Sequence, residues 1–347
     1  MGRPNIIVNF LTAAKTAITR SERGIVALVV ADTTKTVTLN TYKSITEVKA
    51  ADWTAENFQI IKETFLDGVN CVHVVRAAEF AAAKTVLDGL KINWLAHVDE
   101  TQTDIVSYVK TRNAGGPSAK IKAVVYSATA PDDDHIVNFV NTKVKRTDGT
   151  EVDGYKYLGR IAGMLAALPL NRSATYYTFT DLESVTDVEK IDEDVEAGKF
   201  VLFNDYGKVR CARAVNSATT AAKEDLKKIT IIEGMDLVRE DIIETFKNDY
   251  VGKYKNTLDN QTVFISAVNT YMKQLATEGV LSPDYDNKAE IDVETQRAAL
   301  ISAGVKGAEG FDDTEVKNHP YSSYVYVLAN VLFVDAIEDL QFDCYMN

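Results

Sequence analysis

Six consecutive apolar residues, Ile25-Val26-Ala27-Leu28-Val29-Val30, follow Gly24 and set the first constraint on the fold. A run this short and this uniformly apolar reads as a strand covered on both faces. Around it the pattern alternates. Helical spacing puts Phe58, Ile61, Phe65 and Leu66 on one face of residues 54–66. Cys71-Val72-His73-Val74-Val75 then reads as a strand, 80–87 as a helix, 93–98 as a strand, 103–111 as a helix and 122–126 as a strand. Strand and helix in alternation predict an α/β domain, an open and mostly parallel sheet with right-handed crossovers.

The pattern changes near residue 136, so the whole chain reads as α+β. A strand is expected over 136–140, then a polar hairpin over 142–153 turning at Asp148-Gly149. A helix rich in small residues follows over 157–168 and is stopped by Pro169. Residues 176–179 read as a strand, and 199–203 with 208–214 as a hairpin around Asn204-Asp205-Tyr206-Gly207. Helices are expected over 235–248, 262–277 and 292–302, the last with Asp292 as N-cap and Gly304 at its end. The expected division is an arm and linker over 1–22, an α/β domain over 23–170, a mixed α+β assembly domain over 171–322, and a strand with an arm over 323–347.

Both ends carry the period-two alternation of a half-buried strand. Ile6, Val8 and Phe10 share one face near the start; Phe342, Cys344 and Met346 share one near the end. Chain ends fray unless something ties them down, so each strand needs a sheet edge in its own subunit or a neighbour's. Burying an apolar side chain contributes roughly 1.5–3 kcal/mol. Ordering each backbone residue costs roughly 1–2 kcal/mol. The two nearly cancel, which leaves strand hydrogen bonds to decide. A suitable acceptor is the run 324–334, with Tyr324, Tyr326, Leu328, Leu332 and Phe333.

Chemistry is sparse. A net charge of −12 over 347 residues argues against a nucleic-acid face and against docking on anionic lipid. Cys71, Cys211 and Cys344 are far apart with no CxxC, as in a reducing compartment. The start lacks an apolar core of signal-peptide length, so folding in a cytoplasm is expected. Gly115-Gly116-Pro117-Ser118-Ala119-Lys120 lacks the phosphate-loop spacing and lies between a helix and a strand. Gly159 and Gly163 lie four apart on a helix, where they allow close packing. Cys71 with His73, and Asp132-Asp133-Asp134-His135, each fall short of a metal-ligand set. Glu240/Asp241 and Glu338/Asp339 read as solvated faces. No catalytic residue, cofactor or metal is expected. The competing reading, a nucleotide- or metal-dependent cytosolic α/β enzyme, would need a phosphate-binding loop or a ligand cluster.

Several stretches, in order, resemble contractile tail sheath proteins, above all the compact type of Gram-positive phages, defective prophages and phage-tail-like bacteriocins. They include Gly2-Arg3-Pro4-Asn5-Ile6-Ile7-Val8-Asn9-Phe10, Glu22-Arg23-Gly24-Ile25-Val26-Ala27 and Arg160-Ile161-Ala162-Gly163-Met164-Leu165-Ala166-Ala167-Leu168-Pro169-Leu170. Val209-Arg210-Cys211-Ala212-Arg213-Ala214 and Asp335-Ala336-Ile337-Glu338-Asp339-Leu340 are further matches. The resemblance implies a structural, non-enzymatic subunit of a virion or phage-tail-like particle, assembled in the host cytoplasm. It implies a helical homopolymer of stacked hexameric rings around an inner tail tube, meeting baseplate and terminator proteins. Contraction would drive the tube through a cell envelope. The terminal arms would add strands to neighbouring subunits. On the helices 235–248 and 262–277 and the loop between them, Lys247, Lys253, Lys255 and Lys273 are candidates for facing an acidic tube.

Overall fold

The structure, a computed structural model, describes residues 17–116, 120–220 and 223–346. The described residues divide into a larger unit, Ser21–Glu240 with 334–346, and a smaller one, Asp241–Phe333 with 17–20.

In the larger unit the chain runs β1 (Ile25–Val30), β2 (Leu39–Tyr42), α1 (Ala55–Thr64), β3 (Cys71–Arg76), α2 (Phe80–Asp88), β4 (Trp94–His97), α3 (Thr103–Ala114), β5 (Lys122–Tyr126) and β6 (Ile136–Phe139). With β10 (Lys199–Phe200), which closes one edge, these strands form one sheet in the order β10-β6-β5-β4-β1-β3-β2. Every pairing is parallel except β2 with β3. The uniform apolarity of β1 has a simple cause. Val26, Leu28 and Val30 join a core on one face with Trp94, Val124 and Ile61, whereas Ala27 and Val29 join a second core on the other with Phe80, Leu87 and Val109. A strand buried on both faces has no polar side to show.

Between β6 and β10 come β7 (Lys143–Arg146), β8 (Glu151–Asp153), α4 (Leu158–Ala167), β9 (Leu182–Val185) and α5 (Ile191–Glu196). The hairpin of β7 and β8 turns with Gly149 at φ +86°, as the sequence predicts, and β9 pairs on the other side of β7. Helix α4 is pressed against α1. A Cβ on Gly163 would stand 2.1 Å from the Thr64 carbonyl oxygen, and one on Gly159 2.8 Å from Thr64 Oγ1. Close packing, not dinucleotide binding, explains these glycines. A buried bidentate pair from Arg146 to Glu63, at 2.5 and 2.9 Å, ties β7 to the end of α1.

The hairpin β11 (Leu202–Asp205) and β12 (Lys208–Cys211) turns through Tyr206 and Gly207, both at positive φ. It begins at Leu202, because Lys199 and Phe200 pair with β6 instead. The strand expected over 176–179 does not form. Tyr176 sits at φ +58°, and a single bridge joins Thr178 to Arg210. Helix α6 (Ile229–Thr245) starts six residues before the expected position, and its last residues belong to the smaller unit.

In the smaller unit α6 passes into a wider π-helical turn, Phe246–Tyr250, followed by α7 (Leu258–Thr277) with Thr257 as N-cap. Then come β13 (Lys288–Ile291), α8 (Val293–Ser302) capped by Asp292, α9 (Asp313–Lys317) with a capping box from Asp312 and Glu315, and β14 (Val327–Asn330). Tyr271 donates to the buried Asp241 at 2.6 Å, and Arg20 lies 5.1 Å over the Tyr271 ring. Among the described residues no helix is long and apolar enough to cross a membrane.

Candidate functional site

Residues 335–346, in the larger unit, have two characters. In the first part Glu338 is drawn inward, its side chain only 4% exposed. Ser173 Oγ donates to Glu338 Oε1 at 3.0 Å and Thr175 Oγ1 at 2.5 Å, while the Lys228 ammonium bonds Oε2. Lys228 also lies 3.3 Å from Asp335, and Arg213 bonds Asp339 at 2.6 Å. Burial alone would raise the Glu338 carboxyl pKa. The bonds from Lys228 and Thr175 outweigh it and hold the group below its ordinary value. The reading of Glu338/Asp339 as a solvated face is therefore corrected: Glu338 is an anchor. Its partners lie 110 to 165 positions away in sequence.

Beyond Leu340 nothing comparable holds the chain. The terminal alternation predicts a strand over 341–346, yet these residues join no ladder here. Phe342 is 79% exposed, Tyr345 90% and Met346 95%; Cys344 is exposed too. Within one copy, then, the C-terminal apolar face is bare. The other arm, with Ile6, Val8 and Phe10, lies outside the described residues.

In the smaller unit the expected acceptor run is a strand only over β14, a shorter element than its composition suggests. Its antiparallel partner is β13, with Leu328 opposite Glu290. The pairing is extended at both ends: Asp292 N–H donates to Tyr326 O at 3.0 Å, Ser282 N–H to Leu332 O at 2.8 Å, and Phe333 bridges Leu281. Tyr324 stacks between Tyr321 and Tyr326, with ring centroids 6.0 Å apart on each side. Residues 281–292 thus occupy one edge of the run. Among the described residues no strand pairs with the other edge of β14, where Leu328 and Leu332 are exposed.

A tail sheath protein of Clostridium phage phiCD119 is 30% identical to this chain over 360 residues, covering 98% of each. The chain belongs to the phage tail sheath family. It is a structural sheath subunit and a component of a phage or phage-tail particle. The model of the phage tail sheath C-terminal domain matches residues 221–347, the part that holds α6 to α9, β13, β14 and the terminal segment. Solved sheath structures share the fold. The anti-feeding prophage helical sheath in its contracted state matches with a TM-score of 0.73 at 12% identity, covering 100% of both chains. A sheath complex of an extracellular contractile injection system, also contracted, gives 0.72 at 12% identity, over 100% of this chain and 98% of that one. The sheath tail protein of Listeria innocua gives 0.68 at 15% identity, over 91% and 96%.

The sheath family gives no support to the enzyme reading, and the local chemistry agrees. Asp133, Asp134 and His135 bring possible ligand atoms within 4.8 Å of one another. However, the two His135 ring nitrogens already face Asp134 at 2.5 Å and Asp236 at 3.1 Å. Burial lowers the His135 pKa, but the two carboxylates overcome it and push it up to about 9. A doubly protonated imidazole has no lone pair for a metal. The Lys122 ammonium, 2.6 Å from Asp236, adds positive charge. With Glu233, which also accepts from Trp94 Nε1 at 2.8 Å and from Arg23 at 2.5 Å, this is an ion-pair clamp between α6 and the sheet. Cys71 Sγ lies 3.9 Å from His73 Nε2, and burial raises the thiol pKa and lowers the imidazole pKa, so both stay neutral.

Of the four lysines considered for the sheath's inner surface, Lys247 lies within the π turn and Lys253 just beyond it. Lys247 lies 3.9 Å from Glu244, and Lys253 bonds the Asn248 carbonyl. Lys255 borders a cavity beside the same turn, and Lys273 is exposed on the last turns of α7.

Proposed function

We propose that this sheath subunit polymerises into a helical tube of stacked hexameric rings around an inner tail tube, and that the tube shortens to drive the inner one through a target envelope. Assembly takes place in the host cytoplasm, with baseplate and terminator proteins at the ends. The subunit performs no catalysis and consumes no nucleotide. Ile6, Val8 and Phe10 from one arm, and Phe342, Cys344 and Met346 from the other, supply strands to neighbouring copies. The edge formed by Tyr324, Tyr326, Leu328, Leu332 and Phe333 receives one of them. Lys247, Lys253, Lys255 and Lys273 face the inner tube.

The observation that carries this reading is the contrast between the anchored Glu338 and the exposed Phe342, Tyr345 and Met346. A side chain that leaves water only when a neighbour covers it adds little to one copy and much to a lattice. Deleting residues 341–347 tests it. The full chain should form tubes visible by electron microscopy. The shortened chain should remain dispersed yet melt at the same temperature. Tubes from the shortened chain would sink the reading.

A further inference from the structure

Residues 17–20 belong to the smaller unit, and two of them are tied down there. Thr19 N–H donates to Thr245 Oγ1, on the last residue of α6, at 2.9 Å. Arg20 is held by its side chain. Its guanidinium bonds Glu278, just past the end of α7, lies 3.6 Å from Asp241 on α6, and sits 5.1 Å over the Tyr271 ring. Gln274 Nε2 donates to Glu278 Oε1 at 2.8 Å, which leaves Oε2 for Arg20.

The centre of this cluster is Asp241, whose side chain is fully buried. The solvated face expected at Glu240/Asp241 does not form, since Glu240 also pairs with Lys91 at 2.7 Å. Tyr271 donates its hydroxyl to Asp241 at 2.6 Å, and burial together with that carboxylate pushes the phenol pKa well up, so the ring keeps its proton. A neutral donor leaves the charge on Asp241 in place, and a buried carboxylate needs a cation nearby. Arg20 supplies one. The outer pair with Glu278 is half in water and worth little alone. The inner contact with Asp241 and Tyr271 is what fixes the position of residue 20.

We propose that Thr19 and Arg20 moor the N-terminal arm: they are positioning residues that fix where on the smaller unit the arm begins, and so set how far Ile6, Val8 and Phe10 reach toward a second copy. The inference rests on the self-assembly reading above and adds the point from which the first arm starts. Two features select this role. Adjacent residues are tied to two different helices, Thr19 to α6 and Arg20 to both α6 and the end of α7, which fixes the direction of the chain as well as its place. The other arm starts from the same device with the signs reversed, an acid, Glu338, held by Lys228 and two hydroxyls. From this mooring the fourteen residues 6–19 span at most about 46–50 Å when extended.

The test lengthens the full chain on either side of the mooring and reads the critical concentration for tube assembly. Eight residues, 11–18, separate Phe10 from Thr19. Inserting about eight Gly-Ser residues between Thr16 and Ala17 doubles that tether and should raise the critical concentration about threefold, because closure cost grows as roughly (3/2)RT ln n. The same insert between Ser21 and Glu22 lies behind the mooring and should leave it unchanged. In an Arg20→Ser background the second insert should raise it about twofold, and Arg20→Lys, which keeps a cation beside Asp241, should restore the insulation. An Arg20 that only stabilised the fold would not alter the response to the insert. Equal effects of the two inserts in the native background, or no effect of Arg20→Ser on the second, would overturn the mooring while leaving the tubes, and the sheath reading, intact. Failure of the native chain to form tubes at all would strike the self-assembly reading itself.

Discussion

Residues 335–339 and 340–346 are adjacent, the first mostly acidic and the second mostly apolar, and they are held in opposite ways. In the first stretch the acid is inside: Glu338 is enclosed by Lys228, Ser173 and Thr175, while Ile337 is 99% exposed. In the second stretch nothing is inside. The first is fixed by charge-assisted hydrogen bonds, which tolerate only one register. The second leaves its apolar surface in water. A fold that wanted only to seal its own end would have buried Ile337 and left Glu338 in water.

The largest expected effect breaks the first stretch. Glu338→Ala leaves Lys228, Ser173 and Thr175 without their shared acceptor and should cost about 2–3 kcal/mol. It should appear as faster amide exchange and earlier proteolysis at residues 334–340. Unchanged protection would mean that charge does not fix this stretch.

A smaller effect follows from acid. The Glu338 carboxyl is depressed in the folded chain, so its contribution is complete above the unfolded glutamate value of about 4.3. It is lost as pH falls through the lower folded value. Protection of residues 335–339 should therefore fade below about pH 4, and Glu338→Gln should abolish that dependence.

The smallest effect concerns the second stretch and Ile337. Phe342→Ser, Tyr345→Ser and Ile337→Ser should each change the stability of the unassembled chain by less than about 0.5 kcal/mol in denaturant titration. A loss of more than 1 kcal/mol for either aromatic would show that its ring is buried within the single chain and would erase the contrast.

The large sheet was legible because strands such as Ile25–Val30 and Lys122–Tyr126 announce themselves by local composition, and the parallel order follows from the intervening helices. The glycines of α4 were legible as packing residues for the same local reason. What stayed hidden depends on distance in sequence or on strain. Glu338 looks like any surface acid until Thr175, 163 positions earlier, is placed beside it. His135 gains its carboxylate Asp236 from 101 positions away. Tyr176 has the composition of a strand residue but adopts a left-handed backbone, which no β propensity reveals. The terminal alternation over 341–346 is legible too, but these residues join no ladder within the single chain.

The stretch that follows the Glu338 anchor has a mechanical consequence. Seven residues, 340–346, span at most about 23–25 Å when extended. In the proposed assembly they form a leash of that length. If its far end is seized by a neighbour, the two bodies can slide and turn by up to that distance while remaining tethered, and Glu338 is the cleat from which the pull is taken.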